Sequence, residues 1–400
     1  MSKREVWVTG MGVISAAGEG VDALSRTLRG SVTATTMQTD DAYWLGHAPD
    51  ASIGRAGKRL DRSARFFLTA AREAWRHAGL EAADIDRRRA AVLEGSSVGP
   101  MADLLSSARR RALSVRPDPA RPSDLVRQML GAGGAAFAQE EGLEGAVYLV
   151  SAGSISAALA AAEGFWKIKL GLADIVVAGG AECPLDQDII GTFASAGLLA
   201  QAGGRSAPCR PFDPERSGTI LGEGGAALVL EDAAHARARG AVPLAVVAGA
   251  GLTCESAGMT NPDPSGRGVA AVVCQALMGM ERNGLGWIKA HGTGTRANDA
   301  SELRGLEAAL GERLRSCPVT SLKPLLGHCL GASGAVEAVA AILALADGVV
   351  PPTLGTTSLD PELPRCTIAI EPLPSRAPVA LLLSESFGGR CAALALRRAA

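Results

Sequence analysis

Residues 147–182 read VYLVSAGSISAALAAAEGFWKIKLGLADIVVAGGAE. A short apolar run ends at Val150, Ser154 follows after a tight Ser-Ala-Gly sequence, and an alanine-rich segment predicted to be helical leads to a second apolar run. The turn after such a strand is where many enzymes hold a nucleophile, although Gly-Ser-Ile-Ser does not match the G-x-S-x-G pattern of α/β-hydrolases. The local sequence leaves two interpretations of Ser154 open: a nucleophile, or a helix N-cap that satisfies free backbone amides.

The same alternation of buried strand and helix extends over the rest of the chain. Apolar runs of five or six residues, each ending in Gly or Ser or at a charged residue, recur and predict strands buried on both faces. Alanine-rich helical segments separate them, which favours a layered α/β fold. The strand-like runs include 5–10, 90–97, 147–153, 174–180, 226–232, 243–251, 287–292 and 379–386, and the helical segments include 62–78, 155–169, 267–283, 301–310 and 333–346.

Two segments interrupt this pattern. Residues 231–245, a charged Ala/Arg helix followed by a new strand, form the best seam between two halves of the chain. Residues 103–125 are rich in Arg, Pro and Ser, which predicts an exposed insertion or loop.

The composition excludes several classes of protein. The 400 residues are 47% apolar with a formal net charge of −1, which allows a large core and gives no basic surface for nucleic acid or an anionic membrane. The eight cysteines are scattered, without a CxxC pair or a Cys/His cluster of metal-ligand spacing, so we expect no metal. The first residues, MSKREVWVTG, show no apolar signal region, so we expect a cytoplasmic protein with reduced thiols.

The most apolar stretch is expected to be a core helix. Residues 334–352 contain Glu337 and Asp347 and end at a proline pair. This stretch is too short and too interrupted to span a bilayer.

Two of the five histidines stand out as candidates for chemistry. His291 closes a buried strand and opens HGTGTRANDASE, and His328 lies in SLKPLLGHCLGASGAVE just before a predicted helix. Loops at strand ends are where α/β folds place function. Lys323, His328 and Glu337 share one loop–helix unit and could form a hydrogen-bonded set, although this spacing alone also fits a helix N-terminus with a satisfied histidine.

Together these stretches resemble the β-ketoacyl-acyl carrier protein synthases, the condensing enzymes of fatty acid and polyketide synthesis. The resemblance covers essentially the whole chain. It is carried by VWVTGMGVISAAG (6–18), CRPFDPERSGTILGEGGAALVLED (209–232), KAHGTGTRANDASE (289–302) and SLKPLLGHCLGASGAVE (321–337).

The resemblance implies a thiolase-like fold of five αβαβα layers that works as a dimer, with an N-terminal half over residues 1–240 and a C-terminal half over 241–400. In active members, a cysteine at a helix N-terminus takes an acyl group from a carrier protein. Two histidines then help to decarboxylate malonyl-carrier protein, and the carbanion extends the chain by two carbons. The family pattern assigns catalytic roles to Ser154, His291, His328, Lys323 and Glu337, and substrate binding or gating to Thr293, Thr295, Phe387 and Gly388.

Two departures from the family pattern bear on activity. The family's nucleophile lies twenty residues before the aspartate of the G-x-A-D-x-V-x-A-G-G-A-E strand, here Asp174, so Ser154 stands in the cysteine position. The C-terminal loop, roughly Asn-Ser-Phe-Gly-Phe-Gly-Gly-Thr-Asn in the family, reads ESFGGRC at 385–391, with Glu385 for Asn and two residues missing. In relatives this loop gates the nucleophile and supplies an oxyanion amide, and Phe387 keeps part of that gate.

A serine cannot work by the cysteine mechanism. A helix N-terminus can hold a thiol as thiolate, but a terminus worth about 1 kcal/mol shifts the pKa of an alcohol by less than one unit. Ser154 would therefore need His291 or His328 within hydrogen-bond reach as a base.

Three hypotheses follow for the function. The first is that the chain is the cysteine-lacking, chain-length-factor-like subunit of a ketosynthase heterodimer. The second is that it is an enzyme, which uses Ser154 and a histidine as an acyltransferase or hydrolase, or decarboxylates malonyl-carrier protein with the histidine pair. The third, an engineered Cys→Ser trap, is disfavoured because the neighbours at 153–157 are also altered. The expected partners are acyl carrier protein, which supplies the phosphopantetheine arm in place of a resident cofactor, and a ketosynthase subunit or a second copy. Basic residues at 108–116 or 121–127 either meet the acidic carrier protein or form a solvated loop.

Overall fold

The structure, a computed structural model, describes residues 4–37, 43–54, 57, 59–114, 122–201 and 209–399. Apolar runs that the sequence marks as strands form the long strands, and short strands lie in the connecting loops. The strands are β1 (Val6–Ser15), β2 (Gly18–Glu19), β3 (Thr36–Met37), β4 (Trp44–Gly46), β5 (Ala90–Gly95), β6 (Val147–Val150), β7 (Ile175–Glu182), β8 (Leu221–Gly222), β9 (Gly224–Asp232), β10 (Ala245–Cys254), β11 (Leu285–Lys289), β12 (Val319–Thr320), β13 (Val349–Val350), β14 (Leu373–Pro374), β15 (Val379–Ser386) and β16 (Arg390–Arg398).

Helices alternate with these strands, as the alanine-rich segments predict. Short 3₁₀ turns lie at Arg87–Arg89, Arg282–Gly284 and Leu330–Ala332. The α-helices are α1 (Val21–Gly30), α2 (Arg62–His77), α3 (Met101–Leu113), α4 (Pro122–Arg127), α5 (Ala132–Glu141), α6 (Ser156–Lys169), α7 (Gln187–Ser195), α8 (Ala233–Ala238), α9 (Arg267–Ala276), α10 (Arg296–Leu310), α11 (Arg313–Ser316), α12 (Lys323–Leu326) and α13 (Ser333–Asp347).

The large sheet repeats one strand order twice. Its order is β12-β11-β15-β16-β10-β1-β9-β7-β5-β6, with β2 paired to β1 alongside. When the five strands of each half are numbered by their order in the chain, their order across the sheet, from the outer edge to the centre, is 3-2-4-5-1 in both halves. The directions also repeat, because β5 runs parallel to β6 and β7, and β11 runs parallel to β12 and β15. The antiparallel pairing of β1 with β10 joins the halves.

Helices pack against both faces of each half of the sheet. α2 and α5 pack on one half, and α9 with α10 covers the other through an apolar cluster that includes Leu303 and Leu306. Between them, α6 and α13 contact each other and strands of both halves. The chain therefore has the predicted thiolase-like, five-layered αβαβα architecture. The division into 1–240 and 241–400 stays a prediction.

The middle layer can be thin because its helices consist largely of small residues. Gly334 of α13 faces Ala158 of α6, and a Cβ at Gly334 would lie 2.8 Å from the Ala158 backbone nitrogen. Residues Leu330–Asp347 are long and apolar enough to cross a membrane, but 83% of this window is buried inside the protein. It is a core helix, as predicted, but the expectation that the stretch is too short and too interrupted to span a bilayer is wrong by length and composition.

The prediction of a loop over 103–125 is wrong in part. α3 covers residues 103–113 of this segment and has no buried residue, and α4 covers its end. The segment is therefore exposed, as expected, but helical, because Ala, Leu and Arg in ADLLSSARRRAL are good helix formers. Residues 115–121 lie outside the described residues.

Candidate active site

Ser154 lies at the turn between β6 and α6, where only a glycine fits before it. Gly153 has a φ of +63°, and a Cβ there would lie 2.1 Å from Ser386 Oγ. Ser154 does not cap α6, whose first residue is Ser156. Its hydroxyl instead lies 3.1 Å from His328 Nε2, and its backbone amide donates to Ser386 Oγ at 2.9 Å. The N-cap interpretation of Ser154 is therefore wrong.

The two predicted histidines meet above Ser154. The rings of His291 and His328 have centroids 5.3 Å apart and are nearly perpendicular, at 82°. His328 is held by its backbone, which bonds to Ile220 and Gly222, and its Nδ1 lies 2.9 Å from Ser333 Oγ. The Nδ1 atom of His291 is buried without a hydrogen-bond partner among the described residues.

Both rings are neutral at neutral pH. Burial lowers the pKa of His291 and of His328 well below the ordinary value, and the positive charges of Lys323 and Lys289 lower it further. Two carboxylate oxygens of Glu302 hold the His291 loop by accepting from the backbone amides of His291, at 2.5 Å, and Gly292, at 2.8 Å.

A buried charge cluster lies beneath the histidines. Lys323 Nζ donates to Glu337 Oε1 at 3.0 Å, and Lys289 Nζ donates to Glu337 Oε2 and to the Leu383 carbonyl. Burial would raise the pKa of Glu337, but the two lysines outweigh it and hold this pKa below its usual value. Lys323 and Glu337 do not line the cleft above Ser154, so their catalytic assignment stays a prediction.

Lys289 is the member of this cluster that sequence reasoning missed. Burial lowers the pKa of its ammonium group. A lysine at the end of a strand usually extends into water. The available signal was its place in WIKAHG, a run predicted to be buried on both faces, where a charge needs a counterion.

The predicted gate is a tight hairpin between β15 and β16. Phe387 at its tip lines the cleft but is 48% exposed, and Gly388 and Gly389 take φ values of +79° and +70°. Ser386, at the start of this turn, accepts from the Ser154 amide. Glu385 lies buried in the cleft wall, where burial and neighbouring carboxylates raise its pKa well above the ordinary value, and its Oε1 has no partner among the described residues.

The cleft above Ser154 has a volume of about 460 Å³. One wall is apolar, with Phe193, Leu198 and Met259. Thr293 and Thr295 line another part and bond to each other at 2.8 Å between their hydroxyl oxygens. The cleft lining includes Ser154, Thr293, Thr295, His291, His328, Phe387 and Gly388.

The geometry brings a serine and a histidine together but does not complete a hydrolytic triad. The second ring nitrogen of His328 contacts the Ser333 hydroxyl rather than a carboxylate, which a Ser-His-Asp arrangement requires. Within the described ranges, no group of three or more His, Cys, Asp or Glu side chains is placed to hold a metal ion.

Comparisons with known proteins agree with this geometry. The family model of the β-ketoacyl synthase N-terminal domain matches residues 3–236, and that of the C-terminal domain matches residues 244–357. The chain is 33% identical to the tetracenomycin polyketide synthase ketoacyl synthase alpha subunit of Streptomyces glaucescens, covering 99% of this chain and 98% of that protein.

Solved structures with the same fold include two ketosynthase assemblies. A type II acyl-carrier protein in complex with its ketosynthase bound to the hexaketide gives a TM-score of 0.91 at 27% identity. The ishigamide ketosynthase/chain length factor gives 0.90 at 28% identity. Both matches cover 99% of this chain and 100% of the other.

Proposed function

The chain belongs to the β-ketoacyl synthase family, and from this we propose that it is the chain-length-factor-like subunit of a ketosynthase heterodimer. In this role it does not condense acyl chains by itself. It completes the dimer and shapes the site in which a cysteine-bearing subunit extends chains on acyl carrier protein, in type II polyketide or fatty acid biosynthesis.

The observation that carries the proposal is the occupied amide at the nucleophile position. In relatives this position needs a thiolate and free backbone amides that hold the oxyanion of an acyl intermediate. Here the nucleophile is an alcohol, and the Ser154 amide already donates to Ser386 Oγ at 2.9 Å. Acyl transfer would have to begin by breaking this bond.

The open edge of the sheet supports a protein partner. β6 ends the sheet, and within the described ranges nothing pairs with its outer edge; Val147 and Tyr148 on it are 38% and 36% exposed. The equivalent strand of the other half, β12, is buried and pairs through Val319 with Ile368. Unpaired, apolar strand edges are sites of association.

Exposed apolar side chains are also concentrated in the part of the chain that precedes this edge strand. They lie in the segment from α3 to the start of α5, which precedes β6 in the chain. They are Met101, Leu104, Leu113, Leu125, Met129 and Leu130. A stable subunit interface needs an apolar centre of this kind, and the neighbour described as a ketosynthase/chain length factor supports a heterodimer.

Acyl carrier protein is the second proposed partner. It would bring its own phosphopantetheine arm into the cleft, so that the chain needs no resident cofactor. We propose that the chain works with both partners in the cytoplasm. The neighbour that holds an acyl-carrier protein supports this. Within the basic stretch at 108–116, Arg109 is committed to Asp186 and Asp188, and residues 115 and 116 lie outside the described residues. For 121–127, Arg127 is not free, and residue 121 lies outside the described residues.

The serine-dependent alternative has less support. The 3.1 Å contact between Ser154 and His328 would favour it, but it lacks both a carboxylate behind the histidine and a free amide at Ser154.

Co-expression tests the proposal. The chain is produced alone and with a cysteine-bearing ketosynthase of the same pathway, and chain extension on malonyl-carrier protein is followed by mass spectrometry. We expect a one-to-one complex that extends chains, no extension by the chain alone, and full activity of the complex with Ser154→Ala. Extension by a homodimer, or its loss in Ser154→Ala, would overturn the proposal.

A further inference from the structure

Two serine hydroxyls bracket the imidazole of His328. Ser154 Oγ lies 3.1 Å from Nε2, and Ser333 Oγ lies 2.9 Å from Nδ1. Because the ring is neutral, it carries a single N–H and has one nitrogen that accepts. One serine must therefore donate to the ring, and the other must accept from it.

The surroundings of the two hydroxyls differ. Ser333 is the first residue of α13 and is 2% exposed, and among the described residues its hydroxyl has no partner other than His328. If Ser333 accepted from Nδ1, its own hydrogen would be buried without an acceptor, which is unfavourable. Ser154 is only half-buried and lines the cleft, so its hydrogen can reach water.

We infer that Ser333 is a positioning residue that donates to His328 Nδ1 and thereby holds the Nε2–H tautomer. His328 then donates to Ser154 and cannot take its proton. The serine in the nucleophile position is an acceptor, not an activated alcohol.

The tautomer is measured directly on the chain alone. The protein is labelled with ¹⁵N-histidine, its five ring systems are resolved by two-bond ¹H–¹⁵N correlation, and His328 is assigned with His328→Gln. We expect protonated Nε2 and unprotonated Nδ1 at His328. A protonated Nδ1 would overturn the inference. No partner or carrier protein is present, so failure of the heterodimer proposal would leave this result unchanged.

A matched pair of variants tests the cause. Asn at position 333 keeps a donor for Nδ1, whereas Asp of the same size only accepts when ionised. We expect Ser333→Asn to retain the Nε2–H tautomer and Ser333→Asp to give Nδ1–H. The latter should raise labelling of Ser154 by a fluorophosphonate about 10²-fold, because His328 Nε2 becomes a base.

The labelling reaction forms an O–P bond at Ser154, releases fluoride and passes the hydroxyl proton to His328. Ser301→Ala removes another buried hydroxyl, which donates to the Asp263 carbonyl, and should change neither the tautomer nor the labelling. Wild-type labelling as fast as that of Ser333→Asp would overturn the inference. If Ser333→Asp does not fold, the wild-type and Ser333→Asn spectra decide the question.

Discussion

Glu337 is a single carboxylate shared by two buried lysines. In Glu337→Gln, Lys289 and Lys323 would face each other without a counter-charge, and breaking a buried pair in this way typically loses about 3–5 kcal/mol. We expect this loss in the free energy of unfolding, measured with urea at pH 7. Because the pKa of Glu337 is held below its unfolded value, its contribution is present above about pH 4.3 and is lost as the pH falls through the folded-state pKa.

Asp347 on the same helix provides the control for Glu337. It pairs with Arg29, and the two side chains are 35% and 67% exposed. Asp347→Asn should lose only about 0–1 kcal/mol, because water already screens such pairs. Equal losses in the two variants would contradict a buried charge cluster.

The Ser154 amide offers a prediction about restored chemistry. Ser154→Cys supplies a thiol but leaves the amide bonded to Ser386 Oγ. Ser154→Cys/Ser386→Gly frees the amide, and we expect it to be acylated by a short acyl thioester about 10²-fold faster than the single variant, since one oxyanion donor is worth about that much.

Acylation of these variants is measured as the rate of the mass shift on the chain. Ser154→Cys/Ser386→Thr is the control, because threonine keeps the hydroxyl and should stay slow. If the single variant reacts as fast as Ser154→Cys/Ser386→Gly, the amide is not blocked.

At the scale of single residues, the sequence predicted which side chains meet in the site but not the hydrogen bonds that hold them. Ser154, His291 and His328 come together as the family pattern implies. Ser333 and Ser386 escaped notice, because a serine at a helix start or in a turn is ordinary. Only the folded structure brings Ser333 to His328 Nδ1 and Ser386 to the Ser154 amide. Glu385 stood out as a departure, but its burial depends on the packing of neighbouring strands.

Among the strands, β5 carries a carboxyl group inside the core. Glu94 is 4% exposed, and burial raises its pKa to about 8. The hydrogen bond that its carboxyl group accepts from the Gly134 amide lowers this pKa, but burial has the larger effect. The folded state thus holds this proton up to about pH 8, whereas the unfolded state releases it near pH 4.3. Wild-type stability should therefore fall as the pH rises through this window.

Glu94→Gln removes this titration. Between pH 6 and pH 9, we expect the free energy of unfolding of the wild type to decrease by about 1–3 kcal/mol more than that of Glu94→Gln. Urea unfolding at each pH measures both. Glu144→Gln, at an exposed site before β6, should leave the wild-type profile unchanged. Parallel profiles for Glu94→Gln and the wild type would show that Glu94 is already ionised at pH 6.

Helices and strands were predictable where burial fixes the sequence pattern. α13 and the long strands are apolar on all sides because they lie inside the layers. The segment of α3 was not, since its Arg and Ser content suggested a loop and no residue of this helix is buried in the core. Short strands such as β8, which positions His328 through Gly222, depend on tertiary contacts.

On the scale of the whole molecule, the two halves share a topology but differ at their outer edges. The edge of β12 is covered by the chain near Ile368, whereas that of β6 is open within the described ranges. A repeated fold needs no such difference for its own stability. The open edge is where we propose that the partner subunit adds to the sheet. The sequence does not reveal this edge, because VYLV reads as a buried strand.

A charge on this edge should prevent assembly while leaving the fold intact. In Val147→Glu, the new carboxylate would have to be desolvated in the proposed interface. Because Val147 is 38% exposed, the variant chain should keep its unfolding temperature within a few degrees. Co-purification with the ketosynthase subunit should fall at least about tenfold.

Val242→Glu places the same change on an equally apolar but distant loop, where valine is 77% exposed, and should assemble normally. If both variants bind the partner as the wild type does, β6 is not the interface, and a partner seated elsewhere must account for the exposed apolar segment between α3 and α5.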